Sequence, residues 1–293
     1  MIINHNLMAM TAYRAYSNHA YKLSGIIEKL STGMRINRAA DDPSGLMISE
    51  RMRSQIRGLR QASLNCLDGI SVLQTAEGAL DEVHAMLQRM NELAVKAANG
   101  TWNNNDREAM QMEINQLAEE IDSITSGGGT QFNKINLFDG TMVGKKLQTG
   151  ANAGQTMDIG IEKIDTGTMG LLGKQTIEVK MEDGTTKRVE VRGINVMTPK
   201  DAGNSIAKVA NAINHVSLRR SEMGAKQNRL EYKINNLNNQ AENLQAAESR
   251  IRDADMAKLI SEFYKESFLM QAAQLMLAQA NQVAYNVLYL LRM

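Results

Sequence analysis

With 293 residues and 33 Lys and Arg against 32 Asp and Glu, the chain carries a formal charge of +1, so its net charge gives no footprint for nucleic acid. Four phenylalanines and one tryptophan exclude a core of bulky aromatics, while two prolines suit long helices and twenty methionines suit flexible filling of helix seams. A single cysteine, Cys66, excludes an internal disulfide; among Leu64, Leu67 and Ile70 it reads as a buried small apolar residue rather than a nucleophile.

In chain order, the first predicted helix runs from about Asn4 to Met34. Tyr16, Ala20, Leu23, Ile27, Leu30 and Met34 recur at gaps of four and three, the seam pattern of a coiled coil. Pro43 disfavours helix at Asp42, and a second helix is expected from about Ser44 to Ala98. Its clearest seam is Leu80, Val83, Leu87, Met90, Ala94 and Ala97, and Asn99-Gly100 ends it. A third helix, with Asn105 or Asp106 as the expected N-cap, carries Met110, Ile114, Leu117, Ile121 and Ile124 and stops at Gly127-Gly-Gly129. Alternation at Met157, Ile159 and Ile161, at Ile177, Val179 and Met181, and at Val189 and Val191 predicts strands, with a hairpin turn at Glu182-Asp183-Gly184.

Thr198-Pro199 starts the last helical stretch, expected to be nearly unbroken to Met293. Its seam runs Ile206, Val209, Ile213, Val216, Met223, Leu230, Ile234, Leu237, Ala241, Leu244 and Ile251, interrupted by Arg220, Gln227 and Glu248. The phase slips across Arg252 to Asp255, which predicts a bend or a change of partner there. A second series follows at Met256, Ile260, Phe263, Ser267, Met270, Ala273, Leu277, Ala280, Ala284, Val287 and Leu291. Seams at both ends of the chain are expected to pair antiparallel, giving a mainly α, coiled-coil rod with a small β region where the chain turns back.

No motif for chemistry emerges. His5, His19, His84 and His215 lack ligand spacing, and Gly144-Lys145 and Gly173-Lys174 lack the flanking residues of a phosphate loop. Asp41-Asp42 and Asp253/Asp255 suit helix ends. Asn99-Gly-Thr101 fits a glycosylation sequon. The start of the chain lacks a secretory-signal pattern, so if the protein leaves the cell it uses another route. The uncharged stretch between Glu266 and Arg292 is studded with Gln271, Gln274, Gln279, Asn281, Gln282 and Asn286, which opposes membrane insertion. No catalytic, metal or cofactor site is expected.

Leu30-Ser-Thr-Gly-Met-Arg-Ile-Asn-Arg-Ala-Ala-Asp-Asp-Pro-Ser-Gly-Leu-Met-Ile-Ser-Glu resembles the N-terminal signature of bacterial flagellin. So do Asp68-Gly-Ile-Ser-Val-Leu-Gln-Thr-Ala-Glu-Gly-Ala-Leu and Met90-Asn-Glu-Leu-Ala-Val-Lys-Ala-Ala-Asn-Gly. Near the other end, Ala241-Glu-Asn-Leu-Gln-Ala-Ala-Glu-Ser-Arg-Ile-Arg-Asp-Ala-Asp-Met-Ala and Gln271-Ala-Ala-Gln-Leu-Met-Leu-Ala-Gln-Ala-Asn are similar to the C-terminal region of that family. The likeness covers roughly residues 1 to 165 and 200 to 293. Tyr285, Asn286, Tyr289 and Met293 depart from the family's usual C-terminal residues, and Pro43 stands where Ala is common.

The resemblance implies a D0 domain of paired terminal helices (1–43 with 253–293) and a D1 domain of helices with a β-hairpin (44–170 with 198–252). Gln148-Thr-Gly-Ala-Asn-Ala-Gly is similar to the start of that hairpin. Residues 171–197 leave room only for a short variable β excursion, not a full outer domain. The family implies a secreted subunit polymerising into an extracellular flagellar filament, exported by the flagellar type III route. It also implies a chaperone on the C-terminal helix, contacts with filament cap and hook-associated proteins, and recognition by Toll-like receptor 5. Receptor positions matching the family are Gln88, Arg89, Leu93 and Glu113. The polymerisation seam is expected at Leu23, Ile27, Leu30, Phe263, Met270, Leu277, Val287 and Leu291. A hook–filament junction subunit is the alternative.

Overall fold

The computed structural model describes residues 5–126, 128–171, 174–180 and 186–290. Among these residues, five helices and six short strands follow in the order α1 (Leu7–Thr32), α2 (Pro43–Ala98), α3 (Asn104–Thr125), β1 (Gln131–Phe132), β2 (Ile135–Asn136), β3 (Lys146–Gln148), β4 (Thr156–Asp158), β5 (Lys174–Lys180), β6 (Thr186–Arg192), α4 (Pro199–Arg252) and α5 (Met256–Leu290). The described residues form two compact units, one within Met1–Ile56 and Ala241–Met293, the other within Arg57–Gln240.

Helix limits follow local chemistry. Pro43 and Pro199 occupy first-turn positions, where a missing N–H costs nothing. Asp42 Oδ1 accepts from Gly45 N at 2.9 Å, and Thr198 Oγ1 accepts from Asp201 N at 3.1 Å. Gly33, at φ 69, closes α1 by donating its N–H to Lys29 O. The expected unbroken C-terminal helix is in fact interrupted: α4 stops at Arg252 and α5 starts at Met256. Asp253 instead pairs with Met34 in an isolated antiparallel bridge, flanked by Arg35 N→Arg252 O and Ala254 N→Gly33 O. The phase slip marks that interruption.

In the Arg57–Gln240 unit, α2 and α4 run antiparallel. Ser63 meets Asn238, Glu77 meets Gln227 at 3.2 Å and Asp81 meets Arg220 at 2.8 Å. Two of the residues that break the apolar series of α4 are therefore partnered across the seam. Such polar pairs set register, because a one-turn slip would leave each without its mate. All six seam residues expected on α2, Leu80 to Ala97, have zero exposure, and Val209, Val216, Met223, Leu230 and Leu237 are buried on α4. Cys66 is buried too, as expected.

The β region differs from the sequence expectation in three places. β1 and β2 form a hairpin that the alternation did not signal; Asn133 and Lys134 take φ 49 and 63, as a two-residue I′ turn requires. β3 pairs with β4, so Gln148 ends the first strand and Thr149 to Gln155 is the turn, rather than the hairpin's start. β4 ends at Asp158, short of the expected Ile161. Gly160 N turns onto Asp158 Oδ1 and Lys226 Nζ holds Gly160 O at 2.6 Å, although Ile159 and Ile161 are buried as their alternation required. β5 pairs with β6 in full register; the turn residues 182–184 lie outside the described residues.

The α3 N-cap is Asn103, not Asn105 or Asp106. The deciding contact is Arg107, only 6% exposed, whose guanidinium donates to Ala97 O, Asn99 O and Asn104 Oδ1, fixing where α3 begins. Farther along α3, two amides one turn apart act as a substitute strand for the free edge of β6 and the chain after it. Asn115 Nδ2 donates to Glu190 O (2.7 Å) while its Oδ1 accepts from Arg192 N (3.1 Å). Gln111 Nε2 donates to Ile194 O (2.8 Å) while its Oε1 accepts from Val196 N (2.9 Å). Each amide supplies one donor and one acceptor, as a peptide group does, and so satisfies the edge.

Candidate assembly surface

In the unit that carries both chain ends, α1 and α5 are antiparallel. Asn6 Nδ2 donates to Ala280 O at 2.9 Å, His19 Nδ1 lies 2.6 Å from Glu266 Oε2, and Met34 bridges Asp253. Each step forward on α1 is thus a step back on α5. In the same unit, Arg53 Nε binds Glu248 Oε1 at 2.8 Å and Arg252 binds Glu50. Glu248, the third residue that breaks the α4 series, is partnered as well.

The pair does not bury itself. No residue of α1 is buried, and among the described side chains of α5 only Ala273 and Ala280 are. Of the expected seam residues, Leu23, Leu30, Phe263, Met270 and Leu277 are half-buried between the helices. Ile27 is exposed, with Ile26 more covered than it. Val287 lies on α5 with its side chain outside the description, and Leu291 lies outside the described residues.

A second apolar stripe lies outside the seam series. Tyr264, Phe268 and Leu275 follow one another on a further face of α5 and are 68%, 71% and 72% exposed. Leu7, Met8, Tyr13 and Tyr21 are similarly open on α1. An apolar cleft of about 360 Å³ between the helices is lined by Met8, Ala12, Met276, Ala280 and Val283, among others. The available signal was the set of apolar residues left over once the seam is subtracted. Exposed apolar surface on this scale marks an association site.

Hydrogen bonds hold three carboxylates of this unit below their ordinary range. The hydrogen bond from His19 keeps Glu266 below its ordinary value of 4.5. Backbone N–H groups of Arg38 and Asn37 lower Asp41, and that of Gly45 lowers Asp42, both from 3.8. A folded value below the unfolded one stabilises above the unfolded value and is lost as pH falls through the folded one. Helix content of the terminal pair is therefore expected to fall on acidification below about pH 4.5, as circular dichroism would record. Glu266→Gln, uncharged throughout, should lose less over that range.

Gln88, Arg89, Leu93 and Glu113, the positions expected from the resemblance to meet a receptor, lie in the Arg57–Gln240 unit. Arg89 Nε binds Glu113 Oε1 at 2.9 Å and Arg89 Nη1 binds Glu92 Oε2 at 3.1 Å, so α2 and α3 are clasped at an exposed surface. These hydrogen bonds, Glu113 first, raise the Arg89 value. Gln88 is exposed beside His84 at 3.0 Å. Leu93 is 3% exposed and packs into the core beneath.

Among the described residues, no group of three or more His, Cys, Asp or Glu could hold a metal ion, and no helix is long and apolar enough to cross a membrane. Paired helices with uncovered apolar faces define a helical structural protein built to associate. Residues 3–143 match the bacterial flagellin N-terminal helical region, and residues 206–291 match the bacterial flagellin C-terminal helical region. The chain is 48% identical over 292 residues to a flagellin of Halalkalibacterium halodurans and 46% identical over 314 to one of Bacillus subtilis, each covering 100% of both chains. It is 44% identical to a flagellar filament 33 kDa core protein of Treponema phagedenis, again over 100% of both chains. A crystal structure of Bacillus cereus flagellin matches 63% of this chain and 94% of its own at 31% identity and a TM-score of 0.47. The chain belongs to the bacterial flagellin family.

Proposed function

We propose that this chain polymerises through α1 and α5 into the flagellar filament that drives motility. The observation that carries this reading is the terminal pair itself, in which no residue of α1 is buried while large apolar side chains stand open on both helices. Burial yields about 25 cal/mol per Å² and ordering costs about 1–2 kcal/mol per residue, so such a pair sits near balance alone and is tipped by neighbours. A relative described as a filament core protein, matched over its full length, supports the same reading. In this scheme residues 1–43 with 253–293 form the D0 domain, and 44–170 with 198–252 form D1. Residues 171–197, which include β5 and β6, form the short variable excursion.

The filament reading entails passage through the flagellar type III route, with a chaperone shielding α5 before export. Cap and hook-associated proteins meet the subunit at the filament ends. The test is seeded growth: purified monomer added to filament fragments elongates them without limit under the electron microscope. A hook–filament junction subunit would stop after a limited layer, and that arrest would overturn the assignment.

The exposed Arg89–Glu113 surface, with Gln88 beside it and Leu93 supporting it from below, is the proposed Toll-like receptor 5 contact. Arg89→Ala removes exposed ion pairs worth about 0–1 kcal/mol, so the fold is kept. Receptor signalling by the purified monomer is expected to fall; unchanged signalling removes Arg89 from the contact.

A further inference from the structure

We propose that the Asn99–Gly100 peptide is a self-modifying site, at which the folded chain converts Asn99 to aspartate and isoaspartate without an enzyme. The chain contains one Asn-Gly pair, and it lies at the turn between α2 and α3 with both residues exposed. Three features assemble the chemistry. Gly100 N, the nucleophile, donates no hydrogen bond among the described residues, and nothing lies within 4 Å of where a Cβ would sit. Asn99 Oδ1 accepts from Thr101 N at 3.3 Å, which folds the side chain back over the following peptide and polarises Cγ, the electrophile. Arg107 Nη2 donates to Asn99 O at 3.1 Å. That oxygen belongs to the same peptide group as Gly100 N, so a nearly buried cation stabilises the negative charge that appears when the N–H is removed.

The steps balance without oxidant or reductant. Hydroxide takes the Gly100 N–H proton, Gly100 N bonds to Asn99 Cγ, and the Cγ–Nδ2 bond breaks to release ammonia, leaving a cyclic imide. Water then opens either imide carbonyl. One water is consumed, one ammonia is released, and the turn gains one negative charge at the C-terminal end of α2, where the helix dipole disfavours it. In the isoaspartyl product the main chain is one carbon longer, which displaces the carbonyl that Arg107 holds.

The experiment incubates the purified full chain in mildly alkaline buffer, folded and in urea, and maps each asparagine by mass spectrometry with fragmentation that separates the two products. Wild type is expected to gain about 1 Da at Asn99 ahead of every other asparagine, and faster folded than unfolded. Arg107→Gln should slow the folded reaction by roughly tenfold, the factor that about 1.4 kcal/mol of lost transition-state stabilisation gives, and leave the rate in urea unchanged. Gly100→Ala, at a position whose backbone is not in the left-handed region, should fold normally and slow the reaction sharply, because the added Cβ crowds the attacking nitrogen. A folded Asn99 that reacts no faster than in urea overturns the proposal. So does an Arg107→Gln chain that reacts at the wild-type rate when folded. Should Arg107→Gln fail to fold, the comparison of folded and unfolded wild type decides alone.

Discussion

Gln111→Leu is expected to lower the unfolding free energy of the Arg57–Gln240 unit by about 2–6 kcal/mol, since each buried polar group left unpaired costs about 1–3 kcal/mol. The side chain is fully buried, and both of its strand-side bonds, to Ile194 O and Val196 N, are buried. Leucine fills the space but leaves one carbonyl and one N–H without partners and without water. Asn115→Ala is the informative contrast. Asn115 makes the same pair of bonds one turn away, but it is only half-buried, so water replaces the lost amide and the expected cost is about 1 kcal/mol. Urea unfolding of the two variants, followed by helix content, should separate them clearly. Equal costs would show that burial does not set the value of these amides.

Truncation after Glu266 is expected to abolish filament growth outright while leaving the Arg57–Gln240 unit folded. The deletion removes Met270, Ala273, Leu277 and Ala280 from the pairing with α1, and Leu275 from the second stripe. It touches none of the buried residues between Leu73 and Leu237, which pack among themselves. A single change tests the same surface more gently: Ala273→Glu places a charge where the seam is buried, and burying an unpaired charge disfavours pairing strongly. Seeded elongation should fail for the truncation and slow sharply for Ala273→Glu, with the urea transition of the second unit unchanged in both. Filaments of normal length from the truncated chain would remove α5 from the assembly mechanism.

Periodicity made the helices legible because their burial is periodic. Leu80, Val83, Leu87, Met90, Ala94 and Ala97 all reach zero exposure. The slip at Arg252 to Asp255 marked a break, although not that Met34 would pair there. The features that stayed hidden depend on residues far apart in sequence or on turns without a strong residue preference. Lys134 takes a positive φ without being glycine or asparagine, so the β1–β2 hairpin carried a weak signal. Asn103, Asn104, Asn105 and Asp106 can each cap a helix; Arg107, reaching back to Ala97 and Asn99, selects the first. Gln111 and Asn115 look like ordinary polar helix residues until the chain some eighty residues later arrives beside them. On the terminal helices, the half-buried seam was legible in Leu23, Leu30, Phe263, Met270 and Leu277. The Tyr264–Phe268–Leu275 stripe was not, because Gln271 and Gln282 interrupt it and the seam claims the stronger series.

Hydrogen exchange of α1 and α5, measured on dilute monomer and again on the assembled polymer, decides whether neighbouring subunits complete the terminal pair. Rapid exchange is expected along both helices in the monomer and strong protection of both after assembly, with the Arg57–Gln240 core protected throughout. Terminal helices already protected in the dilute monomer, with no further slowing on assembly, would contradict it.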